Sequence, residues 1–395
     1  MSGFVEAHSA DVMKAAGRIR PYVRRTPTLA TDIDRDLRLK AECFQVTGSF
    51  KPRGAFNAVL SLMAGKLPPT GVIAVSSGNH AQAVALAART VGIPALILIP
   101  EDANPAKVAA TRALGAEVIQ EGITFANREE RLREVMDQRG YSLVHPFDDW
   151  DVIHGQGTAA MEMLEDEPDL ELIATPVGGG GLLSGSAIAA KSHRPEIKVI
   201  GVEPVMADDA YQSWKAGSIR KLAESPKTMA DGVRTTAIGA KNFEVMFANE
   251  LVDEIATVTE EEIATAVRVA WTRLHIALEP TGALPLAAYI AGKLPSGRRT
   301  GLILSGGNAN LETVAKLLGT DDPSQRGDDD QRGHLSRGHS CRRHRFDAHL
   351  QANHRRTSAF RRRSGGRDRV RNRCVFQEGQ GRARHHEPAR DHSQP

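Results

Sequence analysis

Cysteine is scarce in this chain, and no long apolar run occurs. Each shortage removes a class of protein. Three cysteines in 395 residues, Cys43, Cys341 and Cys374, with no CxxC pair, exclude a disulfide framework and a cysteine-built zinc site. No apolar stretch approaches the roughly 20 residues that cross a bilayer, and the start MSGFVEAHSADVMK lacks the basic, apolar, small-residue order of a signal peptide. These features read as a cytoplasmic protein in a reducing compartment, without a membrane partner. What is present is an ordinary globular balance of 41% hydrophobic and 25% charged residues, enough for one large core or two medium ones.

The net charge of +3 averages two unlike parts. Residues 320–395 hold 18 Arg, no Lys and 10 acidic residues, a charge of +8; the preceding body holds 33 basic and 38 acidic residues, a charge of −5. The same tail has 8 of the 14 histidines and no Ile, Met, Tyr or Trp, so it has little with which to build a core. It reads as disordered, or as GC-rich sequence translated out of frame. An Arg-rich arm that neutralises nucleic-acid phosphates is the alternative, but Lys is missing and aromatic residues for base stacking are nearly absent. Nucleic acid is therefore not the expected partner.

From residue 72 the body alternates short aliphatic runs with amphipathic or Ala-rich stretches. Strands are expected at 72–75, 95–99, 117–120, 170–176, 198–202 and 301–304, and helices at 80–90, 105–114, 125–138, 152–164, 182–191, 260–275 and 283–293. Strands separated by helices of this length imply parallel pairing, hence an α/β fold of open doubly wound sheets. A body of 319 residues needs more than one such sheet. Thr259 followed by three glutamates signals the start of the helix at 260.

In such folds ligands gather at the carboxyl ends of strands. After the expected strand 170–176 come Gly178, Gly179, Gly180 and Gly181 and then a helix, a cradle of backbone N–H groups suited to phosphate; neither a Walker A lysine nor GxGxxG spacing is present. The segment TGSFKPRGA places Lys51 between Phe50 and a helix-opening proline, where partial desolvation would lower its pKa as imine chemistry requires. Two further loops, VSSGNH (Ser76, Ser77, Asn79, His80) and LSGGN (Ser305), each follow a strand and open a helix. Together they describe a pocket for a phosphorylated, aldehyde-bearing cofactor.

TGSFKPRGA, SSGNHAQA, HPFDDWDVIHGQGT, VGGGGLLSG, EPVMADDAYQS, DGVRTT and SGGN, in this order, resemble the pyridoxal-phosphate enzymes of the tryptophan-synthase β fold (fold type II), above all the serine/threonine dehydratase and serine racemase group. The resemblance covers about residues 10–319. It implies two doubly wound domains, a small one at about 50–147 inserted into a large one at about 10–49 plus 148–319, with the cofactor in the cleft between them. It further implies that Lys51 forms the internal aldimine, Phe50 packs beside the cofactor, Asn79 bonds its ring hydroxyl, Gly178 to Gly181 hold its phosphate and Ser305 meets its pyridine nitrogen. Ser76, Ser77, Asn79 and His80 would line the substrate carboxylate, and Ser77 would offer a second proton donor opposite Lys51. Phe147 resembles the dehydratases. Arg128 aligns with a substrate-facing arginine able to read a distal carboxylate. Glu203, Ala207 and Asp209 match a site for Mg²⁺, Mn²⁺ or Ca²⁺. The expected protein is thus an L-threonine/L-serine ammonia-lyase, with serine racemase or threo-3-hydroxyaspartate ammonia-lyase as alternatives, a small hydroxy-amino-acid substrate, and a dimeric or tetrameric assembly.

Overall fold

The computed structural model describes residues 2–124 and 127–319; the expected tail at 320–395 lies outside them. Among the described residues ten strands run as β1 (Thr28–Ala30), β2 (Leu37–Ala41), β3 (Val72–Val75), β4 (Ala95–Leu98), β5 (Glu117–Ile119), β6 (Ser142–Leu143), β7 (Leu172–Pro176), β8 (Lys198–Pro204), β9 (Glu254–Val258) and β10 (Thr300–Leu304). The helices are α1 (Ser2–Ile19), α2 (Lys51–Met63), α3 (Asn79–Val91), α4 (Pro105–Ala113), α5 (Arg128–Arg139), α6 (Trp150–Asp166), α7 (Gly181–His193), α8 (Asp209–Ala216), α9 (Ala240–Phe243), α10 (Glu260–Thr272), α11 (Leu284–Ile290) and α12 (Leu311–Gly319). None of the described helices is long and apolar enough to cross a membrane.

The strands form two sheets, one ordered β1-β2-β10-β7-β8-β9 and one ordered β5-β4-β3-β6. Every pairing is parallel except β1 with β2, which is antiparallel at the edge of the larger sheet. β4, β7 and β10 are buried along their whole length, as strands covered on both faces must be. Alternation along each strand sends neighbours to opposite layers. In the larger sheet Ile173, Val199, Ile255 and Ile303 pack with Val12 of α1, Met163 of α6 and Leu183 of α7. Their neighbours Leu172, Ile200, Ala256 and Leu302 pack with Val267 of α10 and Leu286 of α11. The smaller sheet repeats the plan, with Val72 and Ile97 against α2 and α3 and with Ile73 and Leu96 against Leu132 and Val135 of α5. Both sheets are therefore doubly wound.

Several boundaries differ from the sequence expectation. β8 runs on to Pro204 because the backbone stays extended to where Glu203 is held, and α10 stops at Thr272, short of His275, whose φ of 57° is left-handed and incompatible with a helix. The start of α10 is a complete capping box, with Thr259 Oγ1 accepting from the Glu262 N–H and Glu262 accepting from the Thr259 N–H. α5 begins at Arg128; residues 125–126 of the expected helix are outside the described set.

Candidate active site

Lys51 opens α2, and what fixes that helix start is Arg53. The Arg53 guanidinium is fully buried, donates from Nε and Nη2 to the Glu42 carboxylate at 2.8 Å each, and reaches Glu162 of α6 at 2.8 Å through both Nη1 and Nη2. Lys40, also buried, completes the network by donating to Glu162 at 2.8 Å. A buried ion network costs desolvation, but once formed it allows one geometry, because breaking it strands a charge. The first turn of α2 is thereby tied to β2 and α6. Gly155 of α6 packs so closely on α2 that an added Cβ would stand 2.5 Å from the Arg53 carbonyl oxygen.

From that rigid start the Lys51 side chain donates through Nζ to the Pro146 carbonyl at 2.9 Å, with Nζ 5.1 Å from the Phe50 ring centroid. Burial of the amine lowers its pKa to about 8, against the opposing attraction of Glu279. The segment before it is locked to the loop after β10. The Phe50 N–H donates to Ser305 O at 3.0 Å, the Gly307 N–H donates to Gly48 O at 2.9 Å, and Ser49 bridges Gly306. Ser305 is buried, and its Oγ has no partner among the described residues; the same holds for Ser49 Oγ.

Asn79 links three segments. Its Oδ1 accepts from Asn308 Nδ2 at 2.9 Å and its Nδ2 donates to Glu279 Oε1 at 2.8 Å. One amide hydrogen of Asn79 remains beyond the Glu279 bond. Glu279 was not singled out from the sequence. It is buried, and burial first, then the charge of Asp231, pushes its carboxyl up to about 7. The signal was a lone glutamate in the apolar run IALEPTGAL, where a charged group is costly. Ser76 and Ser77 are half-buried in the loop before α3, with Ser76 Oγ accepting from the Gly78 N–H at 3.2 Å. The His80 imidazole is turned inward, bonded through Nε2 to Val144 O at 2.9 Å. Burial, then the Lys51 charge, lowers its pKa to about 3, so it is neutral and presents only its backbone to the loop.

The tetraglycine turn is closed in on all sides. A Cβ on Gly179 would lie 2.2 Å from the Phe147 ring, one on Gly178 3.1 Å from Val233 Cα, and one on Gly180, whose φ is +103°, 2.7 Å from Asn242 Cβ. Only glycine fits. The Ser184 N–H makes the first α7 bond, to Gly180 O at 2.8 Å, so the preceding N–H groups and the helix dipole are available to an anion. Asn242 holds Phe147 O at 3.0 Å, and Asp148 accepts from the Lys241 N–H at 2.8 Å, fixing the segment after His145 against this turn.

Two other sequence candidates remain, Arg128 and the group of Glu203, Ala207 and Asp209. Arg128 begins α5 and pairs with Glu129 of the same turn at 3.7 Å. Glu203, at the end of β8, accepts from the N–H groups of Ala210 at 3.3 Å and Tyr211 at 2.6 Å. Asp209 begins α8, is buried, and has both carboxylate oxygens without a partner among the described residues; Ala207, between the two acids, is buried as well. Burial, then the Asp209 charge, holds Glu203 well above the usual carboxylate range, and burial pushes Asp209 up to about 7. Asp208 turns outward to Gln212 at 2.7 Å.

Known proteins resemble this chain in sequence and fold. The chain is 42% identical over 314 residues to the L-threo-3-hydroxyaspartate ammonia-lyase of Saccharomyces cerevisiae, covering 78% of this chain and 95% of that protein. It is 40% identical over 317 residues to the serine racemase of Dictyostelium discoideum, covering 78% and 97%. Among solved structures, a threonine deaminase from T.th. superposes with a TM-score of 0.72 at 47% identity, over 76% of this chain and 98% of that one. Residues 19–306, which span Lys51, the glycine turn and Ser305, match the model of the family described as pyridoxal-phosphate dependent enzymes, and to that family the chain belongs.

Proposed function

We propose that this chain is an L-threonine/L-serine ammonia-lyase that removes the β-hydroxyl of a small hydroxy-amino acid and releases a 2-oxo acid and ammonia. The observation that carries the reading is the Phe50 N–H to Ser305 O bond, which pins the loop of Ser305, with its buried unpartnered hydroxyl, to the residue before Lys51, whose amine is lowered to about 8. The 47% identity to a protein named threonine deaminase supports the reaction class. The small domain at 50–147 inserted into the large one at 10–49 plus 148–319 belongs to the same proposal; it is supported by the four-stranded sheet falling wholly in the first span and the six-stranded sheet in the second.

The residues fit pyridoxal phosphate. Gly178 to Gly181 would hold its phosphate, Ser305 its pyridine nitrogen, Asn79 its ring hydroxyl through the remaining amide hydrogen, and Phe50 one side of the ring, with Lys51 as the covalent anchor. When bound, the cofactor supplies an electron sink that acidifies the α-proton of an attached amino acid. Ser305 would offer a hydroxyl rather than a carboxylic acid to the ring nitrogen, which would favour prompt elimination over transamination. Lys51, its amine freed when the substrate's amine takes its place, would take the proton from the substrate Cα. The loop of Ser76, Ser77, Asn79 and His80 holds the substrate carboxylate with backbone N–H groups at the positive end of α3. Phe147, packed over Gly179, makes an apolar wall suited to a hydrogen or methyl on Cβ.

A second reading is favoured by the names of two relatives, serine racemase and hydroxyaspartate ammonia-lyase. Ser77 as a proton donor opposite Lys51 would allow racemisation, and Arg128, at the start of α5, would read the distal carboxylate of hydroxyaspartate. We assign a hard divalent cation, Mg²⁺, Mn²⁺ or Ca²⁺, to Glu203, Asp209 and the Ala207 carbonyl, because two neighbouring buried acids, with both Asp209 oxygens unpartnered among the described residues, need either protons or a cation. Assaying 2-oxo acid and D-serine side by side tests the whole reading. Rapid 2-oxobutyrate from threonine is expected; D-serine forming faster than pyruvate from L-serine would favour the racemase.

A further inference from the structure

Away from the cofactor site, the facing surfaces of α1 and α6 bring together two histidines and an aspartate. His8 and Asp11 lie three residues apart on α1, hence on one face, and His154 projects toward them from α6. His8 Nδ1 stands 2.9 Å from His154 Nε2, and these two nitrogens and an Asp11 carboxylate oxygen all lie within 4.8 Å of one another. We infer that His8, Asp11 and His154 form a second metal site, built for a first-row transition ion such as Zn²⁺, that clamps α1 to α6.

The donor set decides the ion. Two imidazoles and one carboxylate suit Zn²⁺ and its neighbours, whereas Mg²⁺ and Ca²⁺ require oxygen ligands throughout. Ligands about 2 Å from a tetrahedral Zn²⁺ stand roughly 3.3 Å apart, so the imidazole nitrogens are near coordination spacing, and binding requires the two rings to turn toward a common point while Asp11 swings in. The imidazole contact also fixes protonation. One ring donates and the other accepts, so the accepting ring is neutral; on metal binding the shared proton shifts to the donor ring's other nitrogen if that ring is neutral, or passes to solvent if it is charged, and both ligand nitrogens carry a lone pair. Trp150 stacks on His8 at 4.2 Å and holds the ring plane. Lys14 donates to one Asp11 oxygen at 2.8 Å, but this pair is exposed and weak, and the second oxygen remains. Charge does not oppose a cation, because Asp11, Asp151 and Glu244 are set against Lys14 and Arg18 around the two rings. A cavity of about 210 Å³ lined by Asp11, Lys14, Arg18, Trp150, Asp151 and His154 provides the entry path and room for a completing water. His154 directly precedes Gly155, where α6 touches the first turn of α2, so the clamp sits one residue from the contact that holds Lys51.

The test is calorimetric titration of chelator-treated, full-length holoenzyme with Zn²⁺ alone, repeated on His154→Ala and on His8→Gln. Either variant should lose one zinc equivalent or weaken that equivalent at least about tenfold, with the cofactor absorption band unchanged. Zinc bound elsewhere on the chain contributes equally to all three proteins. Thermal melting gives a second readout, since Zn²⁺ should raise the melting temperature of the parent and leave that of the variants unmoved. Identical stoichiometry, affinity and thermal shift in parent and folded variants would overturn the site. If His154→Ala does not fold, His8→Gln on the half-buried α1 face carries the same comparison.

Discussion

Lys51 and Glu279 attract each other, yet burial drives each toward its neutral form, the amine to about 8 and the carboxyl to about 7. The ordinary lysine value is about 10.4, so between pH 8 and that value the folded chain binds fewer protons than the unfolded chain, and Lys51 adds stability as pH rises through the window. In cofactor-free protein, Lys51 should therefore react with an amine-directed reagent with a midpoint near pH 8; a midpoint near 10 would contradict its burial. Glu279→Gln keeps the acceptor for Asn79 but removes the negative charge that supports protonated Lys51. That midpoint should move down, and an upward shift would show that Glu279 acts on Lys51 in some other way. Borohydride treatment of the holoenzyme should fix the cofactor on the peptide carrying Lys51, and Lys51→Ala should lower 2-oxo acid formation by about 10³-fold or more. Activity within tenfold of the parent would remove Lys51 from the mechanism.

At the scale of elements, what holds the site is packing between helices rather than the loops themselves. Removing Arg53 leaves Glu42 buried without an ion-pair partner and Glu162 with Lys40 alone, so Arg53→Ala should cost about 3–5 kcal/mol in chemical denaturation. A loss below about 1 kcal/mol would mean the network is dispensable. Gly179→Ala drives a methyl into the Phe147 ring and should weaken cofactor binding while costing about 1–3 kcal/mol. Phe147→Ala in the same chain should restore much of that loss; no restoration would place the constraint in the backbone instead. The strands most legible in the sequence were the central ones, β3, β4, β7 and β10, because burial on both faces makes them continuous aliphatic runs. β2 was not legible. Its LRLKA pattern carries Arg38 and Lys40, and Lys40 is buried only because Glu162, far along the chain, meets it. Glu279 and Arg53 were missed for the same reason: their roles come from partners that local pattern does not reveal. His80 was legible as a loop residue, but the inward turn of its ring depends on the Val144 carbonyl across the sheet.

For the whole molecule, the proposed cation site at Glu203 and Asp209 would link ion binding to pH. Folded, these carboxyls retain protons that the unfolded chain releases near pH 4, so their contribution to stability is present at low pH and lost as pH rises through about 7 for Asp209. His80 works in the opposite direction below its ordinary value near 6.5, so the pair is best read as a difference between proteins. A divalent cation competes with those protons. The rise in melting temperature on adding Mg²⁺ or Ca²⁺ should be larger at pH 8 than at pH 6 and absent in Asp209→Asn. An equal rise at both pH values, or one that survives the substitution, would move the cation elsewhere.

The central claim is that Lys51, Ser305 and the glycine turn make this chain an ammonia-lyase for small hydroxy-amino acids. The most direct measurement is 2-oxo acid release from L-threonine, L-serine and L-threo-3-hydroxyaspartate by purified full-length protein, with and without chelator. Turnover of threonine and serine, reduced by the chelator and abolished in Lys51→Ala, is the predicted result. Absence of 2-oxo acid from both, with the cofactor absorption band intact, would contradict the claim.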